Sequence, residues 1–91
     1  MTQERKVALV TGASRGIGAA IAQQLIQDGF FVVGTATSEA GAEKLTQQFA
    51  ENGAGAVLDV RNAEAIEQLV SDIEQKYGSV LVLVNNAGIT R

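Results

Sequence analysis

Residues 7–18 read VALVTGASRGIG. Four apolar residues give way at Thr11 to a turn that holds Gly12, Gly16 and Gly18, with Arg15 wedged before the second glycine. From Gly16 the hydrophobic period changes. Ile17, Ile21 and Leu25 recur four apart, with Ala22 and Ile26 alongside, and Asp28-Gly29 marks the stop. A short buried strand that turns through glycines into an amphipathic helix is the opening of a parallel α/β unit.

The same alternation continues to the end of the chain. FFVVGT, 30–35, is aromatic and β-branched and reads as a second strand. Ser38 caps a second helix whose inner face is Ala42, Leu45 and Phe49, ended by Asn52-Gly53. AVLDV, 56–60, reads as a third strand. Asn62 caps a third helix with Ile66, Leu69, Val70, Ile73 and Tyr77 at helical spacing and Gly78 behind it. VLVLV, 80–84, is a fourth strand, and its lack of alternation predicts burial on both faces. The order β-α-β-α-β-α-β implies a parallel sheet with right-handed crossovers. The expected strand order is 3-2-1-4, the first half of a Rossmann-type doubly wound fold.

Ligands of such sheets bind beyond the carboxyl ends of the strands, where the strand order reverses. The glycine loop lies there. Gly12 permits the tight turn out of the strand, Gly16 lets backbone amides approach an anion, and Gly18 lets the helix lie close to the sheet. The unpaired amides of a helix start and its positive dipole end suit a pyrophosphate. Ser14 can cap this helix or touch the phosphate, and the two roles are compatible. A Walker A loop is excluded, because Ile17 stands where its lysine would be. The spacing is Thr-Gly-x-x-x-Gly-x-Gly.

An NAD site usually places an acid about 20 residues after the glycines to bind the ribose 2′-hydroxyl. Here that region reads GTATS, 34–38, with no carboxylate before Glu39. Hydroxyls there can donate to a 2′-phosphate, and Arg15 offers a planar fork of donors. The expected cofactor is NADP(H). At the end of the third strand, Asp59 and Val60 can receive an adenine edge, or Asp59 can help cap the next helix. After the fourth strand comes NNAG, 85–88. Asn86 can tie neighbouring loops while facing a ribose, and Ala87 and Gly88 leave room for it.

The 91 residues suffice for one small domain. Net charge is −3, which argues against a non-specific grip on nucleic acid or anionic lipid. Cysteine and histidine are both absent, so thiolate and imidazole metal sites are excluded. There is no apolar run long enough for a signal peptide or a membrane span, and a cytoplasmic protein is the simplest reading.

TGASRGIG together with NNAG resembles the short-chain dehydrogenase/reductase family, and the likeness spans essentially the whole chain. GTATSE, 34–39, and NNAGITR, 85–91, are similar to the branch that reduces 3-oxoacyl groups on acyl-carrier protein in bacterial fatty-acid synthesis. The resemblance implies NADPH-dependent reduction of a β-ketoacyl thioester. It implies that Gly12, Ala13, Ser14 and Arg15, in the loop that runs on through Gly16, Ile17 and Gly18, hold the phosphates. It puts Thr37 by the 2′-phosphate, Asp59 and Val60 by adenine, and Asn86, Ala87 and Gly88 by the ribose. It further implies a substrate bound to acyl-carrier protein and a homotetramer for the complete protein.

The family's catalytic Ser and Tyr-x-x-x-Lys have no counterpart here. The single tyrosine is Tyr77, and Leu81 stands four residues on. Tyr77 belongs to the third helix face and is expected to pack on the sheet. The chain therefore reads as the N-terminal, cofactor-binding part of a longer reductase, with no catalytic residue of its own. The alternatives are another short-chain oxidoreductase, or a nucleotide-binding module without catalysis.

Overall fold

A computed structural model describes residues 6–13, 16–58 and 62–84. The elements are β1 (Val7–Val10), α1 (Gly16–Gln27), β2 (Phe31–Ala36), α2 (Glu39–Phe49), a 3-10 turn (Ala50–Asn52), β3 (Gly53–Val57), α3 (Ala63–Lys76) and β4 (Val80–Val84). The four strands form one parallel sheet in the order β3-β2-β1-β4. This is the expected Rossmann-like half. The order reverses between β1 and β4.

β1 explains why a continuous apolar run was needed. All four of its residues are fully buried. Ala8 and Val10 share one core with Val32, Ala22 of α1, and Leu45 and Phe49 of α2. Val7 and Leu9 face the other way, into a core with Val33 and Ile73 of α3. Helices thus flank β1 on both faces, and each β1 residue has an apolar neighbour whichever way it points. Burying side chains such as Leu45 and Phe49 stabilises the fold by roughly 2 kcal/mol each.

The stop of α1 and the caps that open α2 and α3 follow the residues named from sequence. Gly29, at φ 97°, closes α1: its amide donates to the Ile26 carbonyl and the Phe30 amide to that of Leu25. Phe30 is thereby taken into the helix cap, so β2 begins at Phe31 and extends to Ala36, one residue later than expected. The Ser38 hydroxyl accepts from the Gly41 amide at 3.1 Å and caps α2. Asn62 Oδ1 accepts from the amides of Glu64 and Ala65 and caps α3. Tyr77 stacks against Phe31 with ring centroids 4.5 Å apart, so it packs on the sheet as expected.

Two expectations are corrected. α2 ends at Phe49, not at Asn52-Gly53; Ala50 turns the chain with φ 55°. β3 then occupies Gly53–Val57 instead of 56–60. Its Gly-Ala-Gly-Ala stretch is a strand because nothing larger fits. A Cβ on Gly53 would strike the Val32 carbonyl oxygen, and one on Gly55 the Ala42 carbonyl oxygen. The second correction concerns β4, whose second face is covered at Val80, which packs on the core under α3, and open beyond it. Val82 and Val84 pack on the core beneath α1 and α2, whereas Leu81 and Leu83 are 62% and 55% exposed. α3 sits over Val7, Leu9 and Val33 and leaves the two leucines open. The register pairs Val7 with Val80 and Ala8 with Val82, so Leu81 is an extra residue skipped by the pairing.

Candidate functional site

The glycine loop leaves β1 at the carboxyl rim of the sheet, beside the point where the strand order reverses. It is held from both sides. On the β4 side, the Thr11 amide and hydroxyl both donate to the Val84 carbonyl, at 3.0 and 3.3 Å. On the β2 side, the Gly12 amide donates to Thr35 Oγ1 at 3.1 Å and the Ala13 amide to the Thr35 carbonyl at 2.9 Å. Thr11 and Thr35 are the buried polar residues among those described, and they stand side by side at the ends of the two central strands.

Gly12 has φ 64°, which a Cβ would strain, so the sharp turn out of β1 depends on glycine there. Ala13 is buried and its methyl points at Gly34. The chain then reaches α1 at Gly16, where φ is 68° and a Cβ would meet nothing within 4 Å. Gly16 is exposed, Ile17 is 70% exposed, and Gly18 is buried, as a close approach of helix to sheet requires.

The start of α1 differs from the other two helix starts. α2 has the Ser38 cap and Glu39 in its first turn; α3 has the Asn62 cap and Glu64. α1 has no acidic residue in its first turn. Among the described residues no side chain accepts from the amides of Gly16, Ile17 or Gly18. No acidic side chain in this first turn offsets the partial positive charge of the helix end, unlike Glu39 and Glu64 in the other two helices. A helix start without acidic residues is one that an anion can approach.

Thr37 is exposed directly after β2, on the same rim as the loop. The neighbouring Ser38 hydroxyl is engaged as the α2 cap. No carboxylate lies between Gly34 and Ser38, as the sequence indicated. Ser14, Arg15, Asp59, Val60, Asn86, Ala87 and Gly88 lie outside the described residues.

A concavity lies between α2 and β3, two strands away from β1, and includes Glu39, Glu43, Thr46 and Val57. Two carboxylates make it unsuited to phosphate. Among the described residues no helix is long and apolar enough to cross a membrane.

Sequence reading passed over the two threonines that hold the loop. The signal was present: Thr35 is a hydroxyl residue inside a strand whose other residues are apolar or glycine, FVVGTA. A buried hydroxyl needs a partner, and a partner at a strand end is a loop amide.

Comparison with known proteins agrees with this geometry. Residues 6–91 match the family model described as short chain dehydrogenase. The chain is 55% identical over 91 residues to the 3-oxoacyl-[acyl-carrier-protein] reductase FabG of Vibrio cholerae, covering all of this chain and 37% of that protein. It is 53% identical over 91 residues to the corresponding reductase of Vibrio harveyi and 52% identical to that of Escherichia coli, again covering all of this chain and 37% of each relative. The chain thus spans little more than a third of the length of these curated relatives. A parallel sheet in the order 3-2-1-4, a glycine loop at its switch point and a match across nearly every residue lead to one assignment: the chain belongs to the short-chain dehydrogenase family.

Proposed function

We propose that these 91 residues are the cofactor-holding, N-terminal part of a cytoplasmic NADPH-dependent reductase that converts 3-oxoacyl-[acyl-carrier-protein] to the 3-hydroxyacyl form. The observation that carries this reading is the start of α1: exposed, free of acidic residues, and set at the sheet's switch point by bonds to β2 and β4. The printed activity of the similar proteins, and this chain's 37% span of their length, support the substrate and the partial character of the chain.

In this reading the cofactor, when bound, supplies the hydride. The amides of residues 14–18 hold its diphosphate, with Gly12 and Ala13 shaping the turn. Arg15 and Thr37 hold the 2′-phosphate, Asp59 and Val60 the adenine, and Asn86, Ala87 and Gly88 the ribose. Ile17, exposed on the first turn, shields one side of the cofactor from water. The chain's own residues bind and orient; proton donation to the alkoxide, substrate docking on acyl-carrier protein and tetramer formation belong to the complete protein.

Fluorescence titration with NADPH and NADH tests the binding half. Tighter binding of NADPH is expected, with the preference reduced in Arg15→Ala. Equal affinity of the wild type for the two cofactors would remove the 2′-phosphate role. Turnover of a β-ketoacyl thioester by the complete protein tests the substrate; a sugar or steroid alcohol as the better substrate would favour another short-chain oxidoreductase.

A further inference from the structure

We propose that Thr35 is a positioning residue for the cofactor loop, fixing the place from which α1 starts by binding two successive loop amides. The proposal rests on the reading of the loop as a dinucleotide site.

β1 and β2 pair in register as far as Val10 and Gly34. One step further, regular pairing would set Thr11 against Thr35. The Thr11 amide faces the other way, as alternation along a central parallel strand requires, and donates to Val84 on β4. Thr35 takes over on the other side. Its hydroxyl oxygen accepts from Gly12, and its carbonyl from Ala13, so a side chain and a main chain of one residue hold consecutive amides. Thr35 is 1% exposed and cannot exchange this role with water. These two amides are drawn sideways toward β2. The amides aimed along α1 toward an anion are therefore those that follow, and their position is set by where the turn is anchored. A loop that loses the hydroxyl keeps the Thr35 carbonyl anchor and the Thr11 bonds to β4 but is held less tightly toward β2 at Gly12 and enters α1 with more freedom, which costs affinity by loss of preorganisation.

The test is a set of variants in the full chain. Thr35→Val preserves shape and removes the hydroxyl; Thr35→Ser preserves the hydroxyl and removes the methyl. Thr35→Cys differs from Thr35→Ser by one atom and is a poor acceptor. NADPH affinity is measured by fluorescence, and amide hydrogen exchange at Gly12 is followed without cofactor. The expected result is about tenfold weaker NADPH binding in Thr35→Val and Thr35→Cys, with near-normal binding in Thr35→Ser. Gly12 exchange accelerates in the same two variants. If Thr35→Val does not fold, the Ser and Cys pair decides alone. Equal affinity across the series, or equal loss in Ser and Cys, overturns the positioning role while leaving the cofactor reading intact. Failure of the wild type to bind NADPH overturns both.

Discussion

Gly34 lies directly beneath Ala13: a Cβ added to Gly34 would stand 2.8 Å from the Ala13 methyl and 3.1 Å from the Phe49 ring. The glycine loop therefore rests on bare β2 backbone, and the ring of α2 closes the same space from the other side. Gly34→Ala must push one of them away. Ala13 and Phe49 both belong to the core, so a shift of either one disturbs the packing on which the loop rests. The expected cost is about 1–3 kcal/mol of stability, read from the denaturant midpoint, together with weaker NADPH binding. Ala13→Gly in the same chain removes the opposing methyl and should restore part of both. A double-mutant cycle with no coupling between the two positions would show that they do not share this space.

At the outer edge of the sheet, Thr46 of α2 acts as a stopper. Its hydroxyl oxygen lies 2.9 Å from the Gly55 nitrogen and accepts that amide, while its hydroxyl donates to the Ala42 carbonyl at 3.1 Å. An outward amide of an edge strand is a template for pairing with another chain, and here the helix occupies it. Thr46→Val should cost about 0.5–1.5 kcal/mol and accelerate hydrogen exchange at Gly55. Unchanged exchange at Gly55 would mean that water replaces the hydroxyl without loss.

How far residues alone could be read depends on what placed each element. Val7–Val10, the α1 stripe and the Ser38 and Asn62 caps are local signals, and local pattern located them. β3 is different. Gly53-Ala54-Gly55-Ala56 has neither β-branched residues nor alternation; its strand character comes from Val32 on one side and the Ala42 carbonyl on the other, contacts far off in sequence. The shortened α2 has the same origin, since Phe49 must turn inward over Gly53 before the strand begins. In the candidate site, the glycines could be read because a positive φ leaves a mark in residue type. Thr35 could not be assigned its partner, because the amide that it accepts lies 23 residues away.

The opposite edge of the sheet has no such stopper among the described residues. β4 presents Leu81 and Leu83 to solvent beside its outer backbone. An uncharged, apolar edge invites strand addition. The 91-residue chain is expected to self-associate in sedimentation velocity, and Leu83→Lys is expected to suppress this with little change in the thermal midpoint, since the side chain is more than half exposed already. A monomeric wild type at high micromolar concentration contradicts the prediction.

The sharpest separation of binding from folding lies at Ile17. The position is 70% exposed in the first turn of a helix with no acid there, whereas the corresponding turns of α2 and α3 carry Glu39 and Glu64. By helix electrostatics alone, Ile17→Glu should be neutral or stabilising, by about 0.3–1 kcal/mol, because a carboxylate complements the positive end of the dipole. An anion site reverses the sign for the ligand. The new carboxylate competes for the same amides and repels a diphosphate, so NADPH affinity should fall by at least about tenfold. Ile17→Gln, which has similar bulk and no charge, should bind NADPH more tightly than Ile17→Glu, and that difference should shrink as salt is raised. Increased stability with lost binding is an outcome that a purely structural glycine turn does not produce. If Ile17→Glu binds NADPH as well as Ile17→Gln does, the phosphate is not held at the start of α1.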